Sequence, residues 1–220
     1  MDQKLLLNAL SKARELGKGK KFKQTFDCVI NLKNIDLKRP EDKVDVFVQL
    51  PHGRGKPVKI CAFVDDALVL EAKKVFDKVV EFNEFQTYAK NKRQLRKLAR
   101  DYDFFVAQAN LMPQVAQVFG KFLGPKGKMP NPKVGCVIPP KIALQPIIDR
   151  LRISVRLLTK GEPILKCPIG IETMSDKDVA ENILAAYNAV MHVLPQKENN
   201  LKSVIVKLTM GAPVKVEETE

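Results

Sequence analysis

Residues 51–64 read PHGRGKPVKICAFV, and the rhythm of the chain changes across them. Upstream, Phe26, Cys28, Ile30 and Leu32 alternate with Thr25, Asp27, Val29 and Asn31. Val44, Val46, Val48 and Leu50 repeat that period. A period of two marks strands buried on one face. Pro51-His52-Gly53-Arg54-Gly55-Lys56 then breaks the pattern. Val58–Val64 is a short continuous apolar run, the sign of a strand covered on both faces.

The middle of the chain continues in that second mode. The spacing predicts a helix over 68–76, a strand at 79–82, a long basic helix over 84–100 and a strand at 104–107. A helix over 111–119, a short apolar segment at 134–138 and a helix over 141–151 follow. Strands alternating with helices predict a parallel sheet with crossover connections. From Arg152 the period of two returns. Ile153, Val155 and Leu157 alternate, and 164–169 reads as their hairpin partner across Lys160-Gly161-Glu162. Ser175-x-x-Asp178 resembles a capping box. The helix after it carries Val179, Ile183, Tyr187, Val190 and Leu194 on one face, and 203–210 alternates again. A first helix is expected over 3–15. Both flanks therefore read alike, and differ from the middle. The economical architecture is an α+β domain formed by both chain ends, 1–56 plus 152–220. It is interrupted by an inserted α/β domain with a parallel sheet at 57–151, with hinges near the two crossings.

Composition narrows the function. The 220 residues carry a formal net charge of +13, and 45% are hydrophobic. That excess points to a polyanion, either nucleic acid or an anionic membrane. No window approaches a transmembrane length, tryptophan is absent, and MDQKLLLNALSKAREL is too polar for a secretion signal. A cytoplasmic protein without membrane partners is expected. Cys28, Cys61, Cys136 and Cys167 are far apart and lack a CxxC pair, so buried reduced thiols and no metal are expected.

Enzymatic readings fare poorly. After Val64 the chain reads Asp65-Asp66-Ala67-Leu68, without the glycines of a dinucleotide fingerprint and with carboxylates that repel pyrophosphate. GxxxxGK[ST] and GxSxG are both absent, so neither cofactor nor catalysis is expected. The basic residues are better placed. Lys18, Lys20, Lys21 and Lys23 lead into the first strand. Lys90, Lys92, Arg93, Arg96, Lys97 and Arg100 decorate the basic helix, and Arg150, Arg152 and Arg156 approach the second crossing. Lys121, Lys126, Lys128 and Lys133 lie in GKFLGPKGKMPNPK, residues 120–133, whose prolines and glycines dictate a loop. Shape-specific RNA binding also needs a stacking ring, hydroxyls and close backbone approach. Lys21-Phe22-Lys23-Gln24-Thr25 and Thr209-Met210-Gly211 supply them, with core packing the alternative for Phe22 and Met210.

These stretches resemble a known family. LGPKGKMPNPKVG at 123–135, KLTMGAPVKV at 207–216 and LPHGRGK at 50–56 resemble signatures of the ribosomal protein L-one family, the stalk protein of the large subunit. FFVAQANLMPQV at 104–115 and MSDKDVAENI at 174–183 are similar to its archaeal branch. The resemblance spans essentially the whole chain. It implies an RNA-binding domain holding both termini and a Rossmann-like insert. It further implies binding to the ribosomal RNA stalk beside the tRNA exit site, and help in releasing deacylated tRNA. Repression of the protein's own mRNA through a mimic of the rRNA site is also implied. By motif, RNA contacts would fall on Lys21, Phe22, Thr25, Thr209, Met210 and Gly211, flanked by Lys160 and Lys166. Lys126, Lys128 and Lys133 would be auxiliary contacts. The expected partners are stalk rRNA, exit-site tRNA and the mRNA leader, for a chain monomeric off the ribosome.

Overall fold

The computed structural model describes residues 2–39, 42–139 and 143–216. The chain begins with α1 (Gln3–Gly17), β1 (Thr25–Leu32) and β2 (Asp45–Gln49). The middle runs β3 (Ile60–Val64), α2 (Val69–Val75), β4 (Lys78–Glu81), α3 (Phe85–Lys90), α4 (Lys92–Asp101), β5 (Phe104–Gln108), α5 (Met112–Leu123), β6 (Val137–Ile138) and α6 (Gln145–Ile153). The last part is β7 (Ser154–Leu158), β8 (Ile164–Ile171), α7 (Asp176–Val193), β9 (Leu201–Leu208) and β10 (Val214–Lys215). Internal contacts divide the chain into two compact units. The first is Met1–Lys56 with Ile153–Glu220, and the second is Pro57–Arg152. α6, Gln145–Ile153, runs across the second boundary.

The first unit holds a four-stranded sheet in the order β10-β9-β1-β8 and a two-stranded sheet β2-β7, all antiparallel. Phe26, Cys28, Ile30 and Leu32 of β1 point into the core, as their alternation predicts. Leu6, Leu10 and Ala13 of α1 meet Val179, Ile183 and Val190 of α7 in that core. Ser175 caps α7, its hydroxyl accepting from the Asp178 N–H at 3.2 Å. β10 was not foreseen; two residues are too few for a periodic signal.

The expected hairpin of β7 with β8 does not form. β7 pairs with β2, while β8 pairs with β1. Their connecting loop is held to different neighbours at its two ends. Thr159 N donates to Val44 O at 3.0 Å, and Leu32 N donates to Pro163 O at 2.8 Å. Pro163 has no N–H for a ladder. Pro168 is accommodated because β8 is an edge strand, at a register shift opposite Phe26/Asp27.

The 51–56 segment is more than a break. Asn182 of α7, fully buried, accepts from His52 N at 3.1 Å and donates to Gly53 O at 2.8 Å and Ile169 O at 2.9 Å. Gly55 has φ +71°, and a Cβ there would stand 2.5 Å from Ile171 Cγ1, so both strain and space require glycine.

The second unit is a parallel sheet ordered β4-β3-β5-β6, with every residue of β3 buried. Phe63 of β3 anchors its core, with ring centroids 4.5 Å from Phe119 and 5.8 Å from both Phe85 and Phe105. At the carboxyl end of β3, Asp65 caps the following turn by accepting from Asp66 N at 2.9 Å. Gln108, 2% exposed, accepts from Asp65 N at 2.8 Å. Two side chains thus satisfy the backbone at this end of β3. The predicted long basic helix is two helices. Asn91, at φ −112° and ψ 84°, ends α3 and caps α4 by accepting from Gln94 N at 3.2 Å. Asparagine competes with the helical backbone in this way. The helix expected over 141–151 begins at Gln145; Lys141 and Ile142 lie outside the described residues. All four cysteines are free and buried, and burial pushes the Cys136 thiol up to about 11. Among the described residues, no helix is long and apolar enough to cross a membrane.

His52 offers a pH test of the first unit. Its Nε2 lies 2.6 Å from Glu181 Oε2 and its Nδ1 3.9 Å from Asp178 Oδ1. The Glu181 hydrogen bond, with both carboxylates nearby, raises the imidazole above its ordinary ~6.5. The stabilisation is fully present below the unfolded value and disappears as pH rises through the folded one. NMR titration of His52 will give a midpoint above ~6.5 that falls in Glu181→Gln. The variant's thermal midpoint will depend less on pH across that window, Asp178 remaining beside the ring.

Candidate RNA interface

Phe26 of β1 is in register with Leu208 of β9, so residues before Phe26 meet residues after Leu208 at one end of the sheet. Thr25 N donates to Thr209 Oγ1 at 3.1 Å, and Thr209 N donates to Thr25 O at 3.1 Å. The Thr209 hydroxyl also donates to Thr25 O at 3.3 Å. Gln24, 1% exposed, locks the arrangement. Its Oε1 accepts from Met210 N at 3.1 Å while its Nε2 donates to Gly17 O at 2.7 Å. One buried carboxamide therefore joins the end of α1, the mouth of β1 and the 209–211 turn. Glu172 completes the frame by accepting from Gln24 N at 3.2 Å and donating its own N–H to Gln24 O at 2.9 Å. Arg14 holds the Glu172 side in turn, donating to Glu172 O at 2.5 Å, Met174 O at 2.6 Å and Asp176 Oδ1 at 2.6 Å.

This frame presents apolar groups to solvent. Phe22 is 51% exposed, Met210 61% and Leu16 55%, so neither Phe22 nor Met210 is a core plug. Lys18, Lys20, Lys21, Lys23 and Thr209 are exposed beside them, and Thr25 is buried. The Thr209 hydroxyl is committed to Thr25, which leaves it one lone pair for a ligand. Gly211 is buried. A Cβ on it would stand 3.3 Å from Leu208 Cβ and 3.4 Å from Gly17 Cα, so its missing side chain lets the turn sit against α1. An exposed ring and thioether among lysines can stack on bases or ribose while the ammonium groups meet phosphates.

The sheet face turned away from the helices continues from this end. Asp27 opposes Lys207 across β1 and β9, and Asn31 donates to Ser203 Oγ at 2.9 Å. Burial pushes the Asp27 carboxyl up, against the lowering effects of Lys207 and Lys56. Exposed Lys166 opposes Val29, four strand positions or ~13 Å from Thr25. Lys160, also exposed, does not flank the cluster as expected. Its loop lies by Leu32, at the opposite end of β1 and ~20 Å from Thr25, because β8 runs antiparallel to β1.

A family model described as the ribosomal protein L1p/L10e family matches residues 10–212. The chain belongs to that family. It is similar to the large ribosomal subunit protein uL1 of Pyrococcus horikoshii, 42% identical over 217 residues, covering 98% of this chain and 97% of that one. Against the uL1 protein of Thermococcus kodakarensis it is 43% identical, covering 98% of each. Against that of Methanothermobacter thermautotrophicus it is 40% identical, covering 97% and 99%. The chain is an archaeal-type member of a family of structural ribosomal proteins, not of enzymes.

In this L1p/L10e member, the proline-rich loop of the second unit divides its lysines. Lys126 and Lys133 are exposed. Lys128 turns inward, its ammonium donating to Ala99 O at 3.2 Å and Tyr102 O at 2.5 Å. It was expected as an auxiliary RNA contact; instead it caps the carboxyl end of α4, where unpaired carbonyls and the helix dipole attract a cation. Sequence reasoning missed Gln24 and Glu172, whose roles depend on partners remote along the chain. The only sequence-level hint for Gln24 is a carboxamide at the threshold of a strand. Removing the Lys128 ammonium as Lys128→Met will destabilise the second unit by about 1–2 kcal/mol in urea unfolding. Lys126→Met will change it by less than about 0.5 kcal/mol.

Proposed function

We propose that the chain is a protein of the large ribosomal subunit in the cytoplasm that binds the folded rRNA stalk beside the tRNA exit site. The observation that carries this reading is the Gln24 frame with exposed Phe22 and Met210 among Lys18, Lys20, Lys21 and Lys23. The names of its archaeal relatives support the subunit, and the surface supports RNA as the ligand. Phe22 and Met210 lie against base or ribose surfaces, and Lys21 meets phosphate. Thr25, Thr209 and Gly211 act by setting the turn in place. Lys166 and the sheet face around Asp27 and Lys207 extend the contact along β1, with Lys160 outside it.

The unit Pro57–Arg152 works as an inserted domain joined to the RNA-binding one at two crossings. A double connection permits opening about one axis, which suits a protein that follows a moving stalk as deacylated tRNA leaves. Exposed Lys126 and Lys133 then supply auxiliary phosphate contacts. Binding of an mRNA leader that mimics the rRNA site would use the same surface and repress the protein's own translation. Off the ribosome the chain is a monomer.

Filter binding with stalk rRNA and a duplex of equal length tests the reading. At moderate salt the chain will bind stalk RNA at least about tenfold more tightly, a difference of about 1.4 kcal/mol. Met210→Asp will remove most of that preference, whereas Lys126→Ala will weaken binding less than about threefold. Equal affinity for stalk and duplex overturns the proposal in favour of a nonspecific nucleic-acid chaperone. Equal losses in the two variants place the primary site elsewhere. Footprinting of the mRNA leader decides the regulatory role.

A further inference from the structure

The second unit holds a cleft of about 820 Å³ between α3, α4 and α5, within the range of clefts that take small organic groups. Phe85 and Leu95 form its buried floor. Phe82, 42% exposed, and Phe122 stand at its walls, with Phe82 set edgewise 5.7 Å from Phe85. Lys92 and Arg96, one turn apart on α4, line it together with Lys121 of α5. Four carboxamides complete the lining, from Asn83, Gln86, Gln114 and Gln117. Among the described residues, no carboxylate lines the cleft. Glu84, next in the chain to Asn83, lies instead where its charge acts on Cys61 and Tyr88.

We infer that this cleft receives an unpaired base of single-stranded RNA. The three cations select an anionic partner, and an exposed phenyl offers a stacking surface. The carboxamides decide between RNA and an acidic amphipathic helix. A helix satisfies its own backbone and presents apolar anchors and charges to a groove. A base has a rim of donors and acceptors that side-chain amides match. With its amide turned so that the nitrogen donates to Asn110 O (3.3 Å) and Leu111 O (3.2 Å), Gln114 keeps its carbonyl oxygen for this purpose. The inference stands on the cleft's own chemistry and not on the Phe22–Met210 surface.

The full chain, isotopically labelled, is titrated with hexaadenylate and separately with tripolyphosphate, and followed by NMR. The hexanucleotide will shift Phe82, Gln86, Arg96 and Gln117 together, and tripolyphosphate will leave the Phe82 ring unmoved. Phe82→Ala will weaken hexaadenylate binding about tenfold. Gln117→Ala, on an exposed helical position, will weaken it with the fold intact. Binding of stalk rRNA will be unchanged in both variants, so failure here and failure of the stalk-binding reading remain distinct. Identical shifts from tripolyphosphate, or shifts confined to lysines outside the cleft, overturn the inference. Tighter binding of an acidic amphipathic peptide at the same residues also overturns it, in favour of a protein partner.

Discussion

Gln24, through its buried carboxamide and its backbone, holds together three segments that are remote from one another in sequence. Its nitrogen is spent on the last turn of α1 and its oxygen on the 209–211 turn, while its backbone is paired with Glu172. A buried amide left without either partner costs about 1–3 kcal/mol, so the three segments are fixed as a set. Phe22 and Met210 owe their exposure to that frame. Two large apolar side chains would otherwise turn inward, since burial of each is worth about 1.5–3 kcal/mol. The frame has no inward room for them: Gly17 and Gly211 are packed against Leu208, and Phe26 fills the core below.

The same economy of buried amides organises the rest of the first unit. Asn182 holds the 51–53 segment against α7 and β8, and Asn200 donates to Lys33 O and Asn34 O beyond the end of β1. Each secures irregular backbone that no ladder or helix could satisfy. The second unit relies on another principle. Its sheet is parallel and covered by helices, and aromatic rings around Phe63 fill the space. Its polar devices are helix ends, at Asn91 and Lys128, together with the buried Gln108 carboxamide at the end of β3.

Much of this was legible in the sequence, and the failures have physical causes. The alternation of β1, the continuous run of β3 and the cap at Ser175 are local signals, and each survives in the structure. The hairpin of β7 and β8 was misread because period-two segments near one another suggest pairing, while partner choice is set by distant strands. The break at Asn91 was hidden by good helix formers on both sides. At the candidate interface, Phe22 and Thr209–Gly211 could be singled out from residue type and motif. Gln24 could not, because nothing adjacent in the chain reveals that Gly17 and Met210 will converge on it. Lys160 was misplaced for a related reason: resemblance carried its role, but the direction of β8 carries its position.

Lys128 alters how the charge of this protein should be counted. Formal bookkeeping credits it with a full positive charge toward the +13 total. In the folded chain it rests on the carbonyl end of α4, whose dipole behaves as about half a negative charge. An ammonium already shared with a helix terminus contributes less to counterion release from a bound polynucleotide. Each lysine so engaged lowers the slope of log affinity against log salt by up to about 0.7–0.9. The ionic-strength response of this basic chain therefore measures its uncommitted cations and falls short of what its composition implies.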